Sequence, residues 1–157
     1  MADILYGAAG DWSNAVDAFN PVDFQNLANN GGRLSTASPI DNSTNRHLLA
    51  RVSFECVTST WAISVGGRLA FYYLPLGHNG LYPNSTDGTS ANDYPSAHYL
   101  KAMIGFEAGT LSGRGVSNIF QLPPGVGKFY VVNWTGAALP NSLNMSCKLE
   151  TLSEAIV

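Results

Sequence analysis

The sequence has 157 residues, the size of one ordinary domain, so a core can form without disulfide or metal staples. Only 12% of the residues are charged, about half the usual share, which disfavours both a disordered chain and a charge-rich helical bundle. The net charge of −3 carries no basic footprint for nucleic acid, and what remains is a turn-rich β domain covered by uncharged polar residues.

Residues 1–19 follow neither strand nor helix period cleanly and read as an extended N-terminal arm ahead of a single domain at 20–157. Leu5, Tyr6, Trp12 and Phe19 are too apolar for a free tail and suit anchors on a partner or a neighbouring copy. The competing reading is an N-terminal strand that completes the domain's own sheet. A short helix follows, with Asn20 as cap, Pro21 in the first position and Asp23 at the positive end. Asn29-Asn30-Gly31-Gly32 stops it after two turns.

Leu49–Val57 alternates apolar and polar residues, the period of a half-buried strand. Trp61–Val65 is a candidate short strand before the Gly66-Gly67 turn, and Arg68–Leu76 is a more continuously apolar one. Further strands are expected at Tyr99–Glu107 (interrupted at Gly105), Ser117–Leu122, Lys128–Trp134 and Asn144–Thr151. Short strands punctuated by Gly, Pro and Asn point to an all-β, jelly-roll-like antiparallel β-sandwich. Its core should contain Ala50, Val52, Phe54, Phe129, Val131, Met145, Cys147 and Leu149, with Val132 and Trp134 joining if their strand is covered on both faces. Cys56 and Cys147 sit in such apolar runs and read as buried free thiols of a protein made in a reducing cytoplasm.

The chemistry-bearing residues are sparse. His47, His78 and His98 fit no metal spacing, Gly125-Val126-Gly127-Lys128 lacks the rest of a phosphate loop, and no nucleophile elbow occurs. No catalytic residue, metal or cofactor is therefore expected, and no apolar run approaches the roughly 20 residues that cross a bilayer, so neither is a membrane partner. The Gly77–Ala97 loop is long enough to be functional. Tyr82 and Tyr94 in it, with Tyr99 just beyond, could stack on sugar, and Asp87 with Asp93 could offer oxygens to a cation. The alternatives are tyrosines packed on their own sheet and a plain Asp-Gly turn.

Four segments, in this order, carry a resemblance: FQNLANNG leading into GRLSTASPIDNSTN, AFYYLPLGHNGLYPNSTDG, DYPSAHYLKAMIGF, and FQLPPGVGKFYVVNWTGAALPNSLNMSCKLETLSE. Together, over residues 24–153, they resemble the jelly-roll decoration, or cement, proteins of tailed-bacteriophage capsids. The Ala- and Gly-rich arm departs from that pattern. The resemblance implies a non-enzymatic virion protein on the outer capsid surface, made in the bacterial host cytoplasm. It would bind the major capsid protein, stabilise the phage head, and form a homo-oligomer, a dimer or trimer. A second hypothesis is a carbohydrate-binding jelly-roll module or adhesin using the 77–97 loop, since the same architecture hosts lectins. An enzyme, most plausibly a polysaccharide hydrolase, has the least support.

Overall fold

Strict alternation makes Leu49–Cys56 and Met145–Leu152 central strands of a half-buried sheet, every second side chain pointing inward. The computed structural model describes residues 4–6, 15–44, 47–57, 61–83, 94–109, 112–152 and 154–156. In chain order the first strands are β1 (Ile4–Tyr6), β2 (Val16–Phe19), β3 (Gly32–Leu34), β4 (Ile40–Asp41), β5 (Leu49–Cys56) and β6 (Arg68–Pro75). Then come β7 (Leu100–Gly105), β8 (Gly113–Val116), β9 (Phe120–Gln121), β10 (Val126–Trp134), β11 (Met145–Leu152) and β12 (Glu154–Ile156).

All the pairings are antiparallel, and they build two sheets packed as a sandwich. One sheet runs β2-β11-β5-β8, with β9 continuing β8 along β5. The other runs β3-β10-β6-β7, with β4 continuing β3 along β10. A separate two-stranded ribbon pairs β1 with β12. All eight residues expected in the core are at most 2% exposed. Val132 is buried and Trp134 half-buried, because β10 and β6 are covered on both faces. Close packing fixes glycine at 127: a Cβ there would lie 2.4 Å from the Tyr73 ring.

Four expectations need correction. The arm boundary at residue 19 falls inside a sheet, because Val16–Phe19 pairs with β11. Phe19 is 1% exposed and packs against Phe24, Phe71 and Phe129 at centroid distances of 5.1, 6.0 and 6.4 Å. It is a core residue of its own domain, not a contact residue.

The two-turn helix is instead one 3₁₀ turn at Pro21–Asp23. Asp23 does hold its start, its Oδ2 accepting the Asn20 N–H at 2.9 Å, but Asn26 adopts φ 52° and ends the winding. Trp61 and Ile63 lie in a connecting loop and plug the core rather than pair in a sheet. The strand expected at Ser117–Leu122 shrinks to β9, Phe120–Gln121, and β8 at Gly113–Val116 precedes it, outside the expected range. The Ser117 hydroxyl accepts the Val52 N–H at 3.0 Å, standing in for a backbone acceptor and interrupting the ladder.

Cys56 and Cys147 are free and buried, facing inward as diagonal neighbours, since Met145 opposes Cys56 and Cys147 opposes Phe54. Burial pushes the Cys56 thiol up to about 11 and the Cys147 thiol well above its ordinary value. Both should ignore a thiol-labelling reagent in native protein at about pH 8 and both should react after denaturation. A non-reduced intact mass lower by two hydrogens would contradict this.

Candidate functional site

The outer faces of the two sheets differ in chemistry. On the β2-β11-β5-β8 sheet the outward residues include three charged pairs across neighbouring strands, Arg51 with Glu150 at 2.7 Å, Arg114 with Glu55, and Lys148 with Asp17, beside the exposed Val16 and Val116. Each pair is directly opposite in register, which is the arrangement that lets cross-strand charges meet. The exposed pairs, Arg114–Glu55 and Lys148–Asp17, contribute little stability each, about 0–1 kcal/mol, whereas Arg51–Glu150 is half-buried. They make this face a neutral, hydrated one.

The other sheet carries a second apolar layer on its outer face, made of Ala70, Tyr72, Leu74, Tyr130 and Val132. Tyr82, Tyr94, Tyr99, Leu100, Leu34 and Trp134 pack over it. The Tyr94 ring meets Trp134 edge-on at 5.8 Å, and its hydroxyl donates to the Asn30 carbonyl at 2.9 Å. The Arg68 guanidinium lies 5.2 Å over the same indole. Tyr72 beneath is raised above the ordinary tyrosine range by burial, then by Tyr94 and Tyr130. Tyr82 and Tyr94 are half-buried and spend their rings on their own sheet. Asp87 and Asp93 lie outside the described residues.

Of the other candidates, Leu5 sits opposite Ala155 and Tyr6 opposite Glu154 in the β1–β12 ribbon, while Trp12 lies outside the described residues. The described parts of residues 1–19 thus pair with this chain's own C-terminal strands. Among the described residues no three His, Cys, Asp or Glu side chains gather as a metal site requires. No helix there is long and apolar enough to cross a membrane.

Two features escaped the sequence reading. The first is a pair of buried asparagines, each at the head of an Asn-x-Ser/Thr triplet. Asn42 accepts the His47 N–H through Oδ1 at 2.7 Å and donates through Nδ2 to the carbonyls of His47 at 2.9 Å and Pro123 at 3.2 Å. Asn133 donates to the carbonyls of Leu27, Ala28 and Ala137 and accepts from Thr135. Both fasten loops to strand ends. Asn and Gly in the Asn-Trp-Thr-Gly stretch were the available signal, because such residues favour local backbone bonding.

The second is an open cleft of ≈ 890 Å³ between the β2 and β4 edges. Asp17, Asn20, Asp41, His47, Leu149 and Thr151 are among its walls. Asp41 is exposed, and its Oδ1 accepts the backbone N–H of Ser43 at 2.9 Å and the Ser43 hydroxyl at 2.6 Å. Those bonds, the hydroxyl's first, hold its carboxyl below the usual carboxylate range. Comparison with known proteins adds no relative: no family model, no curated protein and no solved structure matches the chain.

Proposed function

We propose that the chain is a jelly-roll capsid decoration protein of a tailed bacteriophage, a non-enzymatic cement that binds the major capsid protein from outside and stabilises the head. The observation that carries the fold half of this reading is a nested pairing of strands. The ends of the sandwich pair first with last: β2 with β11, β3 and β4 with β10, β5 with β8 and β9, β6 with β7. A long hairpin rolled up on itself gives this order, and viral capsid domains and lectins are built that way.

The fold leaves both roles open, so the choice rests on the four segments that resemble decoration proteins and on the surface. Val57, Val65 and Leu143 stand 50%, 92% and 68% exposed at the end of the sandwich where β5 finishes and β6 begins. A protein partner would cover such residues. The carbohydrate reading is weaker, because Tyr82, Tyr94 and Tyr99, its platform, already pack on this chain's outer sheet.

Stabilisation would work by mass action: whatever binds the assembled shell and not its loosened form shifts the balance toward assembly. Many copies on one lattice multiply a modest affinity per copy. Incubation with purified, expanded, undecorated heads should make the protein co-sediment to a fixed number of copies per shell and raise the shell's melting temperature. Protein left wholly in the supernatant would exclude the role.

A further inference from the structure

We propose that the cleft between the β2 and β4 edges receives a basic side chain, a lysine or arginine carried on an extended segment of a partner protein. The inner wall supplies the first reason. Thr151 is 5% exposed, its hydroxyl has no hydrogen-bond partner among the described residues, and it lines the cleft. Period two along β11 turns it inward with Cys147 and Leu149, so the hydroxyl sits where an incoming group would pass between the sheets. Of the four buried side-chain polar atoms left unpaired among the described residues, on Asp23, Trp61, Tyr73 and Thr151, that of Thr151 is the one on a residue lining this cleft, open to a partner from outside.

The mouth supplies the second reason. Asp17 and Asp41 line it, and among the described residues no lysine or arginine does. Asp17 already meets Lys148, whereas Asp41 bonds only to Ser43 among the described residues and is held in its ionised form. Between mouth and inner wall stand Leu122, Leu149 and Ile40. A lysine or arginine fits that sequence of surfaces, its aliphatic stem against the apolar walls and its donors toward carboxylate and hydroxyl. The volume of ≈ 890 Å³ takes one such side chain together with the backbone that carries it. A saccharide fits less well, because among the described lining residues no Tyr, Trp or Phe offers a face to stack on, and His47 is the one aromatic ring there.

The inference holds for any protein partner and does not depend on a capsid. Its test is an NMR titration of the full-length, ¹⁵N-labelled chain with four probes: acetyl-Val-Arg-Val-amide, acetyl-Val-Lys-Val-amide, acetyl-Val-Glu-Val-amide and N-acetylglucosamine. The two basic peptides should shift the amides of Asp17, Asp41 and Thr151 saturably, and the other two probes should leave them in place. Asp41→Asn, at an exposed position, should weaken the basic peptides roughly tenfold, the loss of a charge-assisted contact. Thr151→Val keeps the shape and should weaken them too while the fold holds or gains stability. Shifts from the acidic peptide or the sugar alone, no saturable shift from any probe, or undiminished binding in both variants would overturn the proposal. So would nuclear Overhauser contacts between the Trp12 indole and Thr151 in the unliganded protein, since the chain's own upstream segment would then fill the cleft.

Discussion

Removing residues 2–19 should leave the protein insoluble or lower its melting temperature by about 10 °C or more. The deletion takes out β2, and with it Ala18 and Phe19, which are 2% and 1% exposed. Truncating a buried phenylalanine alone costs about 3–5 kcal/mol, through lost transfer energy and the cavity left behind. At this chain length each kcal/mol moves the melting temperature by about 2–4 °C, so Phe19 by itself accounts for most of the drop. The rest comes from uncovering the edge of β11, whose Cys147–Leu149 stretch pairs with β2. Phe19→Ala in the full chain should therefore reproduce much of the loss. Deleting residues 2–14 instead spares β2 and removes, among the described residues, the short β1–β12 ribbon, and two strands alone are marginal in water. That variant should melt within a few degrees of the full chain, on the order of 1 kcal/mol. A full-length melting temperature in the 2–19 deletion, with weakened capsid binding or oligomerisation, would restore an arm that orders on a partner.

The same strand shows why parts of the fold were legible and others were not. β5 and β11 announce themselves because each is buried on one face only, and period two survives along all eight residues. β6 and β10 show as continuous apolar runs because the second layer covers their outer faces. β2 hides because the register slips at Cys147–Lys148: Asp17 opposes Lys148 and Phe19 opposes Cys147, with Ala18 extra. Its burial then runs exposed, exposed, buried, buried, and no period remains. β3 and β4 have three and two residues, too few for any period to register.

The surfaces were harder to read for a different reason. Whether Tyr82 and Tyr94 stand free or lie on Tyr72 and Trp134 depends on which strand is covered from outside, and that is decided by the whole topology. The cleft is assembled from positions as distant as Asp17, Asp41 and Thr151, which no local pattern connects. The tyrosines were visible as residue types; their partners were not. Asn133 is the mirror case, a residue whose chemistry was plain in the sequence but whose burial was not.

Replacing Asn133 by alanine should cost on the order of 2–3 kcal/mol, because one buried side chain there meets five groups and is the one partner of the Thr135 N–H among the described residues. Its Nδ2 lies 2.8 Å from the Leu27 carbonyl, 3.2 Å from that of Ala28 and 2.8 Å from that of Ala137. Its Oδ1 accepts the Thr135 N–H at 3.0 Å and the Thr135 hydroxyl at 2.8 Å. Asn133 and Thr135 are both fully buried, so water cannot replace the lost partners without opening the site. A buried group left unpaired costs about 1–3 kcal/mol. Alanine strands the Thr135 N–H outright, while the Leu27 and Ala28 carbonyls keep the N–H groups of Leu139 and Gly31, and the Thr135 hydroxyl keeps the Ala137 carbonyl. The damage should spread outward along the bonds. The turn that Asn133 holds through Leu27 and Ala28 also carries Asn30, whose carbonyl accepts the Tyr94 hydroxyl over Trp134. Loosening it should change Trp134 emission before the global melt, a local signal that a purely global loss would not give. Asn133→Asp sharpens the test through its pH dependence. A carboxylate facing three carbonyls in a buried site disfavours its charged form, so its folded-state pKa is raised above the unfolded value of about 3.9. The variant then loses further stability as pH rises through the unfolded pKa toward neutrality, and recovers it on acidification. Calorimetry of the wild type, Asn133→Ala and Asn133→Asp at about pH 4 and pH 7 reads both effects, and equal losses for the aspartate at the two pH values would mean that position 133 is not sealed from water.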